Sequence, residues 1–186
     1  MPRAHGDSLQ VSLLRGINVG GANRIGMAPL RALYESAGCR DVVTHLQSGN
    51  VVLRDERSPN VVSEAIEAAI RRELGLTIRV LGRTHTELRK AIEADPFPAA
   101  DRGHRHVVFL SGEPKAGTDA RLAEAATGNE AAVLVGREVH LLLPDGMGRT
   151  KLSQALVERR LGVVATARNW RTVTRLLELS APDAAS

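Results

Sequence analysis

A chain of 186 residues has room for one large domain or two small ones, and 43% hydrophobic residues supply a full core. With only 2% aromatic residues that core is aliphatic, and a single cysteine, Cys39, excludes an internal disulfide and any cysteine-based zinc cluster. The formal charge of +4 admits phosphate or RNA partners without demanding them, because the 25 basic residues, three of them lysines (Lys90, Lys115 and Lys151), are spread along the chain.

In chain order, Met1–Asp7 is short and polar and lacks the apolar stretch of a secretory signal. Leu9–Leu14 reads as a strand, followed by a glycine-rich turn and a helix over Met27–Ala37 with Leu30, Leu33, Tyr34 and Ala37 at helical spacing. Pro29 suits its first turn and Gly38 its C-terminal cap. Val42–Leu46 and Val51–Leu53 read as a hairpin through Gln47-Ser48-Gly49-Asn50. A helix runs from Pro59 to Leu74, with Val61, Ala65, Ala69 and Leu74 inward, and Gly75 closes it. A strand over Leu76–Leu81 and a helix over Thr84–Glu93 complete the first half.

The second half repeats the order: strand His106–Ser111, helix Thr118–Ala126, hairpin Ala131–Val135 and Glu138–Leu143, helix Lys151–Leu161 closed by Gly162, strand Val163–Thr166, helix Trp170–Leu179. The expected fold is therefore α+β, with two tandem ferredoxin-like (βαββαβ) units, each followed by an extra helix. Residues 8–95 form the first unit and 106–180 the second, with the linker at 96–105. The longest apolar runs (Val107–Leu110, Ala131–Val135, Leu141–Leu143) are strand-sized, far below the ~20 residues of a membrane helix. A cytoplasmic protein with no membrane segment is expected.

In a ferredoxin-like sheet strand 1 lies beside strand 3, so Arg15–Arg24 and Gln47–Asn50 are expected at one end of the sheet despite their separation in sequence. In the second copy, Pro144–Lys151 and Arg168–Trp170 fall at the opposite end. Pseudo-twofold packing of the two units would set the two polar clusters across one cleft.

Four segments carry a resemblance: LLRGINVGGANRIGM (Leu13–Met27), THLQSGNVVL (Thr44–Leu53), PDGMGRTKL (Pro144–Leu152) and ATARNWRTV (Ala165–Val173). Together they resemble the domain-of-unknown-function 1697 family of uncharacterised, mainly bacterial proteins. The resemblance covers about Leu9 to Leu179, and departs from the family pattern at His45, Gly26 and Cys39. It implies a two-part α+β fold and shared polar turns, and no reaction.

As chemistry, the glycines Gly20 and Gly21 let backbone amides turn toward an anion at a helix start. Arg15 and Arg24 are placed to clamp a phosphate or carboxylate, and Asn18 and Asn23 add donors and acceptors. The turn is neither a P-loop nor a G-x-G-x-x-G fingerprint. Gln47, Ser48 and Asn50 add polar contacts, and Ser48 lacks the G-x-S-x-G setting of a nucleophile. In the second half, Arg149–Lys151 at a helix start oppose the helix dipole unless an anion is bound. Arg168, Asn169 and Trp170 add a cation, a helix cap and a stacking surface. Arg15, Asn18, Gly20, Gly21, Asn23, Arg24, Gln47, Ser48, Asn50, Lys151, Arg168, Asn169 and Trp170 are thus the candidate ligand-binding residues. His104 and His106 alternate on a strand without a third ligand, so neither a metal nor a cofactor is expected.

Three functional readings follow. The first is a binding protein for a small anionic or phosphorylated ligand in a cleft between the units. The second is an RNA- or nucleic-acid-binding protein, disfavoured because Leu9–Leu14 and Val51–Leu53 carry no Phe or Tyr for base stacking. The third is a transferase acting on a phosphorylated substrate, which lacks an obvious base or nucleophile.

Overall fold

The computed structural model describes residues 9–182. Fourteen regular elements follow one another: β1 (Leu9–Leu14), α1 (Met27–Ser36), β2 (Arg40–His45), β3 (Asn50–Arg54), α2 (Pro59–Leu74), β4 (Val80–Thr84), α3 (His85–Glu93), β5 (Arg105–Leu110), α4 (Asp119–Ala123), β6 (Ala131–Val135), β7 (Glu138–Leu142), α5 (Gln154–Leu161), β8 (Ala165–Asn169) and α6 (Trp170–Leu179). They form two antiparallel four-stranded sheets, ordered β2-β3-β1-β4 and β6-β7-β5-β8. The described residues are mixed α+β with six α-helices. By packing, the described residues divide into two compact units, 9–89 with 176–182 and Lys90–Arg175.

The two units repeat one local grammar. Ser58 caps α2 by accepting from the Val61 amide, and Ser153 caps α5 by accepting from the Leu156 amide. Gly75 and Gly162 close these helices in the left-handed conformation. Glu67 of α2 then accepts from the Val80 amide at 2.8 Å, and Glu158 of α5 accepts from the Ala165 amide at 2.9 Å, so each helix pins the first residue of the next strand. Near the end of that strand stands a buried arginine, Arg83 or Arg168, donating to the carbonyl of the residue before it. A helix cap comes next. Thr84 and Glu87 exchange bonds as a capping box, and Asn169 accepts from the Thr172 amide.

This grammar corrects several expected boundaries. The strands expected at Leu76–Leu81 and Val163–Thr166 lie further along, at Val80–Thr84 and Ala165–Asn169. After each glycine cap the chain needs several residues to reach the sheet, and Leu76 and Ile78 pack into the core on the way. The pairing residues include Arg83, Thr84, Arg168 and Asn169, which hydropathy does not read as strand. The inward face of α2 is also displaced. Val62, Ile66, Ala69 and Ile70 are buried, whereas Val61 and Leu74 are exposed. Finally, α5 begins at Gln154 behind the Ser153 cap and not at Lys151.

One core gathers Leu14, Val51, Leu53 and Val80 of the first sheet with Leu30, Tyr34, Val62, Ile66 and Ile70 of α1 and α2. The other gathers Val108, Leu110, Val139, Leu141 and Ala165 with Leu122, Val157 and Leu161 of α4 and α5. Aliphatic burial at about 25 cal/mol per Å² is the main driving force in both.

Candidate functional site

At the end of the first sheet where β1 stops and β3 starts, the chain builds a corner from residues 15–26 and 46–49. Its frame is made by asparagine. The Asn18 amide nitrogen donates to the Ile25 carbonyl at 2.9 Å and to the Gln47 carbonyl at 2.7 Å, while its oxygen accepts from the Ile25 amide at 2.9 Å. Asn23 donates to the Gly16 carbonyl at 3.1 Å. Both asparagines have positive φ, 55° and 49°, a conformation their short polar side chains tolerate. Between them Val19-Gly20-Gly21-Ala22 closes a tight turn through the Ala22 amide and the Val19 carbonyl at 3.1 Å. Its central glycines have φ of 59° and 81°, as a primed turn requires.

The two loops interlock through apolar contacts beneath this frame. Ile17 and Ile25 are buried, and the Leu14 amide donates to the Gly49 carbonyl at 2.9 Å. A Cβ on Gly49 would lie 2.7 Å from Ile17 Cδ1 and 2.8 Å from Leu14 Cβ. Only glycine fits there. Asn50 is fully buried, donating to the His45 carbonyl at 2.8 Å and to Ser48 Oγ at 3.1 Å. Asn18, Asn23, Ser48 and Asn50 therefore hold the corner together by hydrogen bonds, and of the four only Asn50 is buried.

Other groups face outward. An open groove of about 430 Å³ is lined by Asn18, Gly21, Arg24, Ile25, Gly26 and Gln47. Arg24 and Gln47 are exposed, and no acidic residue lines the groove. Gly26 is the N-cap of α1, so no side chain caps that helix, and its first turn carries no acid. The amides of Met27 and Ala28 have no intrahelical carbonyl to bond, and Pro29 brings none of its own. Arg15 is half-buried, its amide bonded to the Arg79 carbonyl at 2.9 Å. Of the expected residues, Arg24, Gln47, Gly21 and Asn18 thus line one groove, and Gly20 sits in the adjoining turn.

The C-terminal candidates meet a different environment within their own unit. β7 ends at Leu142 opposite Arg105, and β8 ends at Asn169 opposite His106, so Pro144–Lys151 and Arg168–Trp170 follow from the same end of the second sheet. Arg168 is buried and donates to Thr166 Oγ1 and the Ala167 carbonyl, both at 2.8 Å. Burial alone draws its guanidinium down to about 10, still cationic at neutral pH. Asn169 is spent as the α6 cap. Trp170 is buried against Arg105, whose guanidinium lies 4.6 Å from the ring centroid. Lys151 is exposed, and its charge acts on Glu130, which Thr150 and Thr127 also hydrogen-bond. Because Ser153 caps α5, Arg149–Lys151 stand outside the helix, and the expected conflict with its dipole does not arise.

Sequence reasoning missed the residues that organise this cluster. Asp95 pairs with Arg105 at 2.5 Å with both side chains buried, tying together the ends of the expected linker. His140 is 1% exposed, and neither ring nitrogen has a hydrogen-bond partner. Burial pushes its imidazole below the ordinary value, against the upward pull of Asp95. The alternation of β7 was the available signal, since it sets His140 on the face opposite Val139 and Leu141. Elsewhere, Cys39 is buried and its thiol is pushed up to about 11, by burial first and then by Asp55, which makes it a poor nucleophile. Among the described residues no three His, Cys, Asp or Glu side chains gather as metal donors, and no helix is long and apolar enough to cross a membrane.

Fold and corner together define a class: duplicated α+β proteins of two four-stranded antiparallel sheets with a glycine- and asparagine-built turn after the first strand. The family described as "Protein of unknown function (DUF1697)" matches residues 8–140, more than half of the chain. The chain belongs to that family. Among solved structures it is similar to a conserved bacterial protein from Streptococcus pneumoniae, at 20% identity and a TM-score of 0.73, covering 93% of this chain and 98% of that one. That likeness is one of fold. No curated protein matches the chain.

Proposed function

We propose that the protein binds a small anionic or phosphorylated ligand in the groove at the start of α1. The carrying observation is that an uncapped helix N-terminus and the exposed Arg24 open on one groove with no acid in its lining. Free helix-start amides and the dipole favour an anion, and a neighbouring guanidinium supplies a charged fork. Gln47, held beside Asn18 by the hairpin, supplies a further polar group at the rim. The proposal includes two finer readings. Each unit is ferredoxin-like, supported by the strand order with β1 beside β3, and the protein is cytoplasmic, supported by the apolar runs being only strand-sized.

The test is thermal unfolding in phosphate, sulfate or a nucleotide against sodium chloride at equal ionic strength. The anions raise Tm in the natural chain, and Arg24→Ala removes the rise. An unchanged Tm, or a rise that persists in Arg24→Ala, would sink the proposal.

A further inference from the structure

Each sheet has two outer strands, β2 and β4 in the first and β6 and β8 in the second, whose outward backbone groups invite a further strand unless they are guarded. Three of these four edges are guarded. On β8 the outward amides of Ala165 and Ala167 donate to Glu158 at 2.9 Å and to Gln154 at 3.1 Å, both side chains of α5. On β4 the outward amides of Val80 and Thr84 donate to Glu67 at 2.8 Å and to Glu87 at 2.9 Å. On β2 the register shifts between Arg40 and Val43, the strand carries two charges, and Asp41 turns to a φ of 50°. Bulges and charges of this kind stop a strand from pairing further.

The edge of β6 has none of these devices. Ala131–Val135 pairs with β7 in an unbroken register, and its sequence AAVLV holds no charge and no proline. The two-residue turn Gly136-Arg137 makes Val135 and Glu138 a hydrogen-bonded pair, so Val133 and Ala131 also spend their backbone groups on β7. Those of Ala132 and Leu134 therefore point away from the sheet, and no other described residue hydrogen-bonds to them. Only Ala132 is buried in this strand, and the other four residues are half-buried.

Geometry and charge select the partner. An antiparallel pair that overlaps all five residues sets Val133 of one copy opposite the partner's Val133, and Ala132 opposite the partner's Leu134. Such a pairing is twofold symmetric and closes on itself. The strand is preceded by Glu130 and followed by Gly136-Arg137. The same register brings Glu130 opposite the partner's Gly136, one position from the partner's Arg137, so opposite charges meet at both ends. A parallel pairing would align Glu130 with its like and Arg137 with its like.

We propose that β6 is a dimer interface. Two copies of this chain pair antiparallel along this edge and join their second sheets into one continuous sheet. Five residues a side make a small interface, so the dimer dissociates on dilution.

The test is sedimentation equilibrium of the full chain over a range of concentrations, with amide hydrogen exchange followed in parallel and Tm confirming the fold of each variant. The natural chain passes from monomer to dimer as concentration rises, and exchange at Ala132 and Leu134 slows in step. Val133→Lys and Val133→Asp each hold the chain monomeric, because like charges then stand opposite one another across the twofold. An equimolar mixture of the two restores the dimer, which chains that had merely unfolded could not do. Val43→Lys, on the guarded β2 edge, leaves the dimer intact. A natural chain that stays monomeric at every concentration would overturn the proposal. So would a dimer in which exchange at Ala132 and Leu134 does not slow, one that survives either Val133 variant, or folded variants that fail to pair when mixed.

Discussion

The corner of residues 15–26 and 46–50 and the cluster around Arg105, Arg168 and Trp170 use similar residues for different ends. In the corner, positive-φ turns let Asn18 and Asn23 bond the backbone as a frame and leave Arg24 and Gln47 facing solvent. In the cluster, strand alternation buries Arg168, the helix takes Asn169 as its cap, and Trp170 covers Arg105. An Arg-Asn motif is therefore not in itself a mark of a ligand site. What matters is whether local backbone and packing already consume its hydrogen bonds.

The contrast is most exposed to test at Asp95. Asp95→Ala leaves the buried Arg105 without its partner carboxylate and lowers stability by about 3–5 kcal/mol in urea unfolding. A loss under about 1 kcal/mol would break the comparison, since Arg105 would then not depend on the pair. Next is Gly49→Ala, which sets a Cβ 2.7 Å from Ile17 at a φ of 81°. A loss of about 2–4 kcal/mol is expected from overpacking and left-handed strain together. A neutral result would mean that the two loops of the corner do not pack as one body.

The smallest expected effect is a pH slope. His140 has a folded-state pKa below its unfolded value near ~6.5, so its contribution to stability is present above that value. It is lost as pH falls through the depressed folded pKa. His106 is depressed in the same direction by burial and adds to the slope. His140→Leu therefore reduces the fall in stability below about pH 6.5 without abolishing it. A slope identical to that of the natural chain would show that His140 is not what the cluster shields.

Much of the fold was legible because its determinants are local. Periodicity located α1 and α2, and the glycines at 75 and 162 marked the ends of α2 and α5. The proximity of Arg15–Arg24 to Gln47–Asn50 followed from strand order, and the Asn18–Gln47 bond realises it. The fourth strands were harder to read, because each begins where a helix glutamate pins an amide and ends on polar residues. Leu46 read as the last residue of a strand, whereas β2 ends at His45 and Leu46 turns to a φ of 61°.

By itself the sequence determined the duplicated α+β plan, the aliphatic cores and the polar turn after β1, all of which rest on periodicity, turn chemistry and composition. Only the tertiary structure decided which polar groups of those motifs are spent and which face solvent. The physical reason is that hydrogen-bond satisfaction is a property of pairs distant in sequence. Asn18 meets Gln47, Asp95 meets Arg105, and Arg24 opens on the start of α1 because of where the folded chain places them.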